Sequence, residues 1–419
     1  MNIKKQSWII LFLIALPIAC QTTHHVESGK KPKKGYLDSI TDKLTGTPSP
    51  QEHKTTGISY FKKGMTDEAL EELKLASKEI QGDAELHYYL GKAYYENDKF
   101  DEAITDLLAA TSYYKTTQTL EKAEAYNDLG LAYKKKNAFT EALSAFKESL
   151  ELNPSVADTN YNLGLLYYEK DMLDDCITYL KKSAKLDTNS ADAHFMLGLA
   201  YYKKKSIDKA ISEFKQTIEL NPKDAEAHNY LGKLYYVQEA IGKSIIEHKS
   251  AIKYNKNYPE AFNNLGIALY ANGNLKEAEN AFKKALELET NFAEAHYNLG
   301  LIYSEEDRQE DAIASLEQAV KLDPKIAEAH FKLGEIYVAE DMLEKALSEY
   351  KKAIDINPGY SDAYYNYGEI LAAKGNHDKS IAAWKKTIEL NPKYADAYFN
   401  LGVAYYNQGK LDKAISMWT

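Results

Sequence analysis

Ten histidines stand in the chain, and five of them, His87, His194, His228, His296 and His330, fall at one recurring place. The last four are separated by 34 residues or a multiple of 34. A row of imidazoles is the ligand set zinc selects, and imidazole is the side chain that most often moves protons near neutral pH. The spacing argues against both uses. Helices that repeat at this interval stack about 8–10 Å apart, whereas zinc holds each nitrogen at about 2.0–2.1 Å. Neighbouring repeats therefore do not share an ion through these side chains, and the row is read as packing. His24-His25 offers a loose metal contact at most. No Gly-rich phosphate loop, nucleophile elbow or HExxH pattern accompanies the histidines, and no segment after residue 50 is left over for a catalytic domain. The expectation is a protein with no catalytic residues, no metal, no cofactor and no small-molecule substrate.

The elements that position these side chains come from a second regularity. Leu163-Gly164 recurs as Leu197-Gly198, Leu231-Gly232, Leu265-Gly266, Leu299-Gly300, Leu333-Gly334, Tyr367-Gly368 and Leu401-Gly402, each 34 residues on. Leu129-Gly130 lies one period upstream, and Leu90-Gly91 a further 39 residues back. A fixed period of this length means one helical hairpin stacked many times. Aligned on the glycine, eleven units begin at Pro50, Ala84, Ala123, Ala157, Ala191, Ala225, Pro259, Ala293, Ala327, Ser361 and Ala395, the last cut short. In the Ala293 unit Leu299, Gly300 and Tyr303 share one face of a first helix. Ala312, Leu316 and Ala319 share one face of a second, and Pro324 closes the unit. Glycine at Gly130, Gly164 and Gly198, and alanine at Ala142, Ala210, Ala278, Ala312, Ala346 and Ala414, let the two helices approach. Cys176 fills that alanine slot and reads as a small buried hydrophobe. Two cysteines build no disulfide framework for an array this long.

The Ala123 unit, with Leu129, Gly130, Tyr133, Ala142, Phe146 and Pro154, resembles the tetratricopeptide repeat over about residues 50–419. The resemblance implies an all-α fold, a right-handed superhelical α-solenoid of about eleven 34-residue helix-turn-helix units, with first helices lining a concave groove. Three departures stand out. The family's tryptophan is replaced by His87, Tyr126, Asn160 and their equivalents, about five extra residues lie near Thr116 to Lys122, and the chain stops at Thr419 inside a second helix. The extra residues predict a kink or a longer hairpin. At the end of the chain, either Trp418 is exposed or it packs on something.

On the groove the sixth place of a unit holds Asn162, Asn264, Asn298, Asn366 and Asn400, with Asp128 equivalent. Asparagine both donates and accepts, so the row reads either as a ladder for an extended backbone or as repeat consensus. Tyr161, Phe195, Tyr297, Phe331, Tyr365 and Phe399 fill the fifth place and serve as anchors or as interhelix packing. The second place is acidic in ten units, from Glu85 to Asp396, which complements the first-turn dipole. The same acids disfavour acidic tails and leave a neutral or basic segment as the preferred partner. With 52 basic and 62 acidic residues, and Arg308 the single arginine, the chain has no stripe for nucleic acid.

Residues 1–19 carry the plan of a signal peptide: Lys4 and Lys5, an apolar run from Trp8 to Leu16, then Pro17-Ile18-Ala19-Cys20. The end of that run resembles a bacterial lipobox, which implies a lipid on Cys20, and Gln21 rather than aspartate after it favours the outer membrane. Residues 20–49 read as a flexible polar tether and 50–419 as the repeat array. The expectation is a non-catalytic, lipid-anchored scaffold of the bacterial cell envelope that binds protein segments and assists assembly of an envelope complex. A regulatory subunit of an envelope hydrolase, protease or glycosyltransferase and a surface-exposed adhesin or host-binding lipoprotein are the rivals.

Overall fold

The computed structural model describes residues 48–419; the readings of the signal peptide, Cys20, His24-His25 and most of the tether lie outside the described residues. Twenty-two helices pair into eleven hairpins, with no strand among the described residues. The described part divides into two compact units, residues 48–222 with five hairpins and residues 223–419 with six. Within each unit the hairpins stack in chain order, as in an α-solenoid.

Local sequence sets where each helix begins and ends. Ser49 caps the first helix with a capping box: its hydroxyl accepts from the Glu52 N–H, and the Glu52 carboxylate accepts from the Ser49 N–H. Asp83, Ser190 and Asp224 accept from the N–H three residues on. Pro50 and Pro259 occupy first-turn positions, where a missing N–H costs nothing. Each first helix ends in a Schellman turn. In the Ala191 hairpin the Ser206 N–H donates to the Tyr201 carbonyl and the Lys205 N–H to the Tyr202 carbonyl. The turn places one residue in the left-handed region in each hairpin, among them Asn137, Lys205, Glu239 and Gly273, at φ of 57°, 56°, 57° and 81°. Second helices close on an Asx turn: the Asn153, Asp187, Asn255, Asp323, Asn357 and Asn391 side chains each accept from the N–H two residues on.

The two helices of a hairpin meet at the glycine. A Cβ built on Gly164 would sit 2.7 Å from Leu180 Cγ, one on Gly130 2.6 Å from the Phe146 ring, and one on Gly334 2.5 Å from the Tyr350 ring. In each case a large side chain sixteen residues later lies flat over the bare backbone. The alanine slot facing it, Ala142, Ala210, Ala278, Ala312 and Ala346, is fully buried. Cys176 sits in the same slot at 0% exposure, and burial pushes its thiol up to about 12.

The extra residues after the Ala84 hairpin do not kink a helix. Lys115 to Gln118 form a turn, in which the Gln118 side chain accepts from the Lys115 N–H. The following helix then starts at Thr119 rather than Ala123, one turn early. Trp418 is half-exposed, at 47%, and donates from Nε1 to the Phe399 carbonyl.

Two substitutions test this geometry in urea unfolding followed by circular dichroism. Gly334→Ala should cost roughly 1–3 kcal/mol, because the rigid Tyr350 ring must give way. Glu239→Gly, at a φ of 57°, should instead stabilise by about 1 kcal/mol, because glycine adopts this left-handed conformation without the Cβ penalty. Opposite signs are expected; equal destabilisation would overturn the account.

Candidate interaction face

First helices of successive hairpins touch one another in both units, as in the Ala84, Ala123, Ala157 and Ala191 series and the Ala225, Pro259, Ala293 and Ala327 series. Within each of these series they make a continuous face. The asparagines of that face bridge hairpins. Asn162 donates from Nδ2 to Asn127 Oδ1 at 3.0 Å, Asn264 to Asn229 Oδ1 at 3.1 Å, and Asn298 to Asn263 Oδ1 at 3.1 Å. Asn400 donates to the Tyr365 hydroxyl at 3.1 Å. Asn366 lacks such a neighbour, because Phe331 stands there, and donates to the Tyr350 hydroxyl at 3.2 Å instead. Each amide thus spends one N–H on holding two hairpins together. Asn298 is buried, and the other four keep partial access to solvent.

The fifth-place aromatics are spread across a range of exposure. Tyr297 is buried at 5%, while Phe399 is 61% exposed. Tyr161, Phe195, Phe331 and Tyr365 are half-buried. Phe331 lies against Tyr360 with ring centroids 4.8 Å apart, and Tyr365 against Tyr394 at 5.0 Å. Both partners sit in the linker 29 residues later, so each first-helix ring is fixed by the loop that ends its own hairpin.

The histidine row is a set of clasps between the two helices of a hairpin. His87, His194, His228 and His330, together with His53, each donate from Nδ1 to a carboxylate nineteen residues later, at 2.6–2.7 Å. The acceptors are Asp106, Glu213, Glu247, Glu349 and, for His53, Glu72. His296 has Ser315 at that distance and turns to the Thr290 carbonyl, at 3.1 Å from Nε2. The signal was present in the sequence as a matched pair of columns: where Tyr126, Phe262 or Tyr364 replaces histidine, Ala145, Ala281 or Ala383 replaces the carboxylate.

Sequence reading also passed over His248. It fills the slot beneath Gly232 that elsewhere holds Phe146, Phe214 or Phe282, at 1% exposure. Its Nδ1 lies 3.0 Å from Asn229 Oδ1, which also receives the Asn264 amide, while Asn229 donates to the Tyr258 hydroxyl at 3.1 Å. Burial, aided by the Lys233 charge, pushes this imidazole down to about 3.

Acids give the face its charge. The Glu294 carboxyl is raised by desolvation and further by Asp323, Glu289 and Glu260, against one opposing backbone hydrogen bond. Glu226 is raised by desolvation, Asp224 and Glu260. Glu226, Glu260 and Glu294 of successive first helices therefore share one field.

Family profiles described as TPR repeat match residues 130–171, 200–239 and 368–409. Others described as tetratricopeptide repeat match 55–114, 161–217, 257–325, 297–361 and 349–382. The chain belongs to the tetratricopeptide-repeat family. Proteins of this family mediate contacts between proteins, and no enzymatic family matches. Among curated proteins, this TPR chain is 29% identical over 101 residues to the Hsp70-Hsp90 organising protein of Plasmodium falciparum (isolate 3D7). That match covers 24% of the chain and 18% of the relative's length. Among solved structures it is similar to YrrB, a TPR protein with an unusual peptide-binding site, at 27% identity and a TM-score of 0.38. That similarity covers 44% of this chain and 95% of YrrB. It is 31% identical to MamA at a TM-score of 0.36, over 40% of this chain and 97% of MamA. The APC/C hetero-tetramer Cut9-Hcn1 gives 12% identity and a TM-score of 0.47, over 91% of this chain and 95% of that one.

The buried His248 gives a pH test. Its folded-state value lies below the ordinary one of about 6.5, so as pH falls the unfolded chain binds a proton that the folded chain refuses. Stability present above about pH 6.5 should drain away towards pH 3, by about 1.4 kcal/mol per unit. His248→Phe should remove this loss, so between pH 7 and 5 the natural chain should lose roughly 2 kcal/mol more than the variant in urea unfolding. Equal losses would mean the imidazole is not held neutral.

Proposed function

We propose that the chain is a non-catalytic scaffold of a bacterial cell envelope, held there by a lipid on Cys20. Its first-helix face binds extended segments of partner proteins during assembly of an envelope complex. The binding part is carried by one observation: contacting first helices form a face on which amides and aromatic rings recur, as at Asn400 beside Tyr365 and its Tyr394 partner. The rungs leave Asn162, Asn264 and Asn366, which keep partial access to solvent, further N–H and acceptor capacity, which suits a peptide backbone. Phe331, Tyr365 and Phe399 supply the ring faces on which a partner side chain can seat. Second-place acids make that partner neutral or basic rather than acidic.

The anchor part rests on residues 1–20 alone: two lysines, a short apolar run and Ala19-Cys20. Among the described residues no helix is long and apolar enough to cross a membrane, so attachment falls to that N-terminal segment. Gln21 in place of aspartate favours the outer membrane.

Two measurements check the parts separately. Cys20→Ser should abolish incorporation of labelled palmitate and move the protein from the membrane pellet to the soluble fraction; retention of label in the variant would end the lipid assignment. A photo-crosslinking side chain at Phe399 or Phe331 should capture a partner in intact cells, whereas one at Lys351, on a second helix, should not. Capture from Lys351 alone would move binding to the second-helix face.

A further inference from the structure

In the later hairpins the first helices carry carboxylates with few cations beside them. Several acids of the second helices meet cations: Glu279 binds Lys283 and Arg308, Glu344 binds Lys374, and Glu389 binds Lys386. The first helices of the Ala327, Ser361 and Ala395 hairpins differ. Among the described residues no cation pairs with Glu328, Asp362, Glu369 or Asp396, and only Glu335 has one, Lys332, at 3.1 Å. Glu369 is held by neutral donors, the Tyr365 hydroxyl at 2.9 Å and the Asn400 amide at 3.5 Å.

These carboxylates share one surface with ordered rings. Burial raises the Tyr360 hydroxyl, and Glu328 and Asp362 raise it further. Tyr394 is raised by burial and then by Asp362 and Asp396, and Tyr365 by burial and then by Glu369. The two ring pairs, Phe331 with Tyr360 and Tyr365 with Tyr394, thus stand between carboxylates of successive hairpins. Uncompensated like charges raise the free energy of the empty face, and a cation relieves them. Ring faces attract the same ion through their quadrupole.

We infer that the first-helix face of the Ala327, Ser361 and Ala395 hairpins is a site for an extended polypeptide segment bearing arginine or lysine side chains, with Glu328, Asp362, Glu369 and Asp396 as counter-charges. The inference rests on the first-helix face being the binding face. Cationic side chains sit between acids of neighbouring hairpins and lie over the Tyr360 and Tyr394 rings; arginine suits both contacts, because its guanidinium forks onto carboxylates and stacks on aromatics. The peptide backbone follows the asparagine amides. An acidic segment is repelled along the whole stretch.

The test uses the full chain and a fluorescent peptide alternating arginine and serine, with glutamate and glutamine versions beside it. The arginine peptide should bind, weaken as salt rises, and exceed the glutamate version. The variant Glu328→Gln, Asp362→Asn, Glu369→Gln, Asp396→Asn should bind it about tenfold more weakly or worse. A control with Glu310→Gln, Glu344→Gln, Asp378→Asn and Glu389→Gln, all on second helices, should stay within about twofold of the natural chain, with both variants giving the natural far-ultraviolet spectrum. No binding of the arginine peptide, or an equal loss in the two variants, overturns the inference. If the arginine peptide binds no better than the glutamine version, yet the glutamine version crosslinks to a probe at Phe399, the charge assignment fails and the binding face stands. If neither peptide crosslinks there, both fail.

Discussion

Everything in this protein follows from how closely two helices can approach at a residue without a side chain. Each hairpin lays a leucine, phenylalanine, histidine, tyrosine or tryptophan across the bare backbone of a glycine, at distances that leave no room for a methyl group. That contact sets the angle between the helices, and the angle sets how one hairpin receives the next. The buried alanines of the second helix are the other half of the same constraint. Interiors packed to this density do not deform gradually, which is why the glycine column tolerates no exception while the side chain resting on it varies freely.

Much of this was legible from spacing alone. The period of the Leu-Gly pair placed the hairpins, and every first-helix start except that of the Ala123 hairpin falls at its expected residue. That exception follows from insertion: added residues cost little in a linker but much within a packed pair, so they extend a helix end. The asparagine column was visible too, but its physical use was not. Its acceptors stand 35 residues earlier, at Asn127, Asn229 and Asn263, and reading one column at a time hides a bond between two columns. The histidine clasps escaped for the same reason. Burial was the least legible quantity. Tyr297 and Phe399 hold the same place in their units, yet one is enclosed and the other open.

Polar groups within the stack mark where the repeat departs from a purely apolar design. In the Ala225 hairpin a neutral imidazole replaces a phenyl ring and joins Asn229, Asn264 and Tyr258 in one network that runs from the core to the partly exposed face. A buried polar group must be satisfied or it destabilises the fold. Here the partners come from a first helix, a second helix, a linker and the next hairpin. The arrangement extends an asparagine rung between two repeats into the core beneath the glycine, where other hairpins place an apolar ring or a leucine. The face that results is not uniform along its length, and the same repeat geometry therefore presents different chemistry in successive hairpins.

The asparagine rungs also bear on how the later unit comes apart. In a linear stack, stability is a sum of hairpin terms and nearest-neighbour terms, and unfolding fronts halt where coupling is weakest. Rungs join the Ala225 hairpin to Pro259, Pro259 to Ala293, Ala327 to Ser361, and Ser361 to Ala395. At the seam between Ala293 and Ala327 the equivalent residue is Lys332, which turns to Glu335 in its own helix. Apolar packing around Leu316, Ile326 and Leu333 carries that seam. That seam can open without breaking a single asparagine bond, and the Tyr337 hydroxyl, which donates across it to Glu317 at 2.7 Å, is its polar latch.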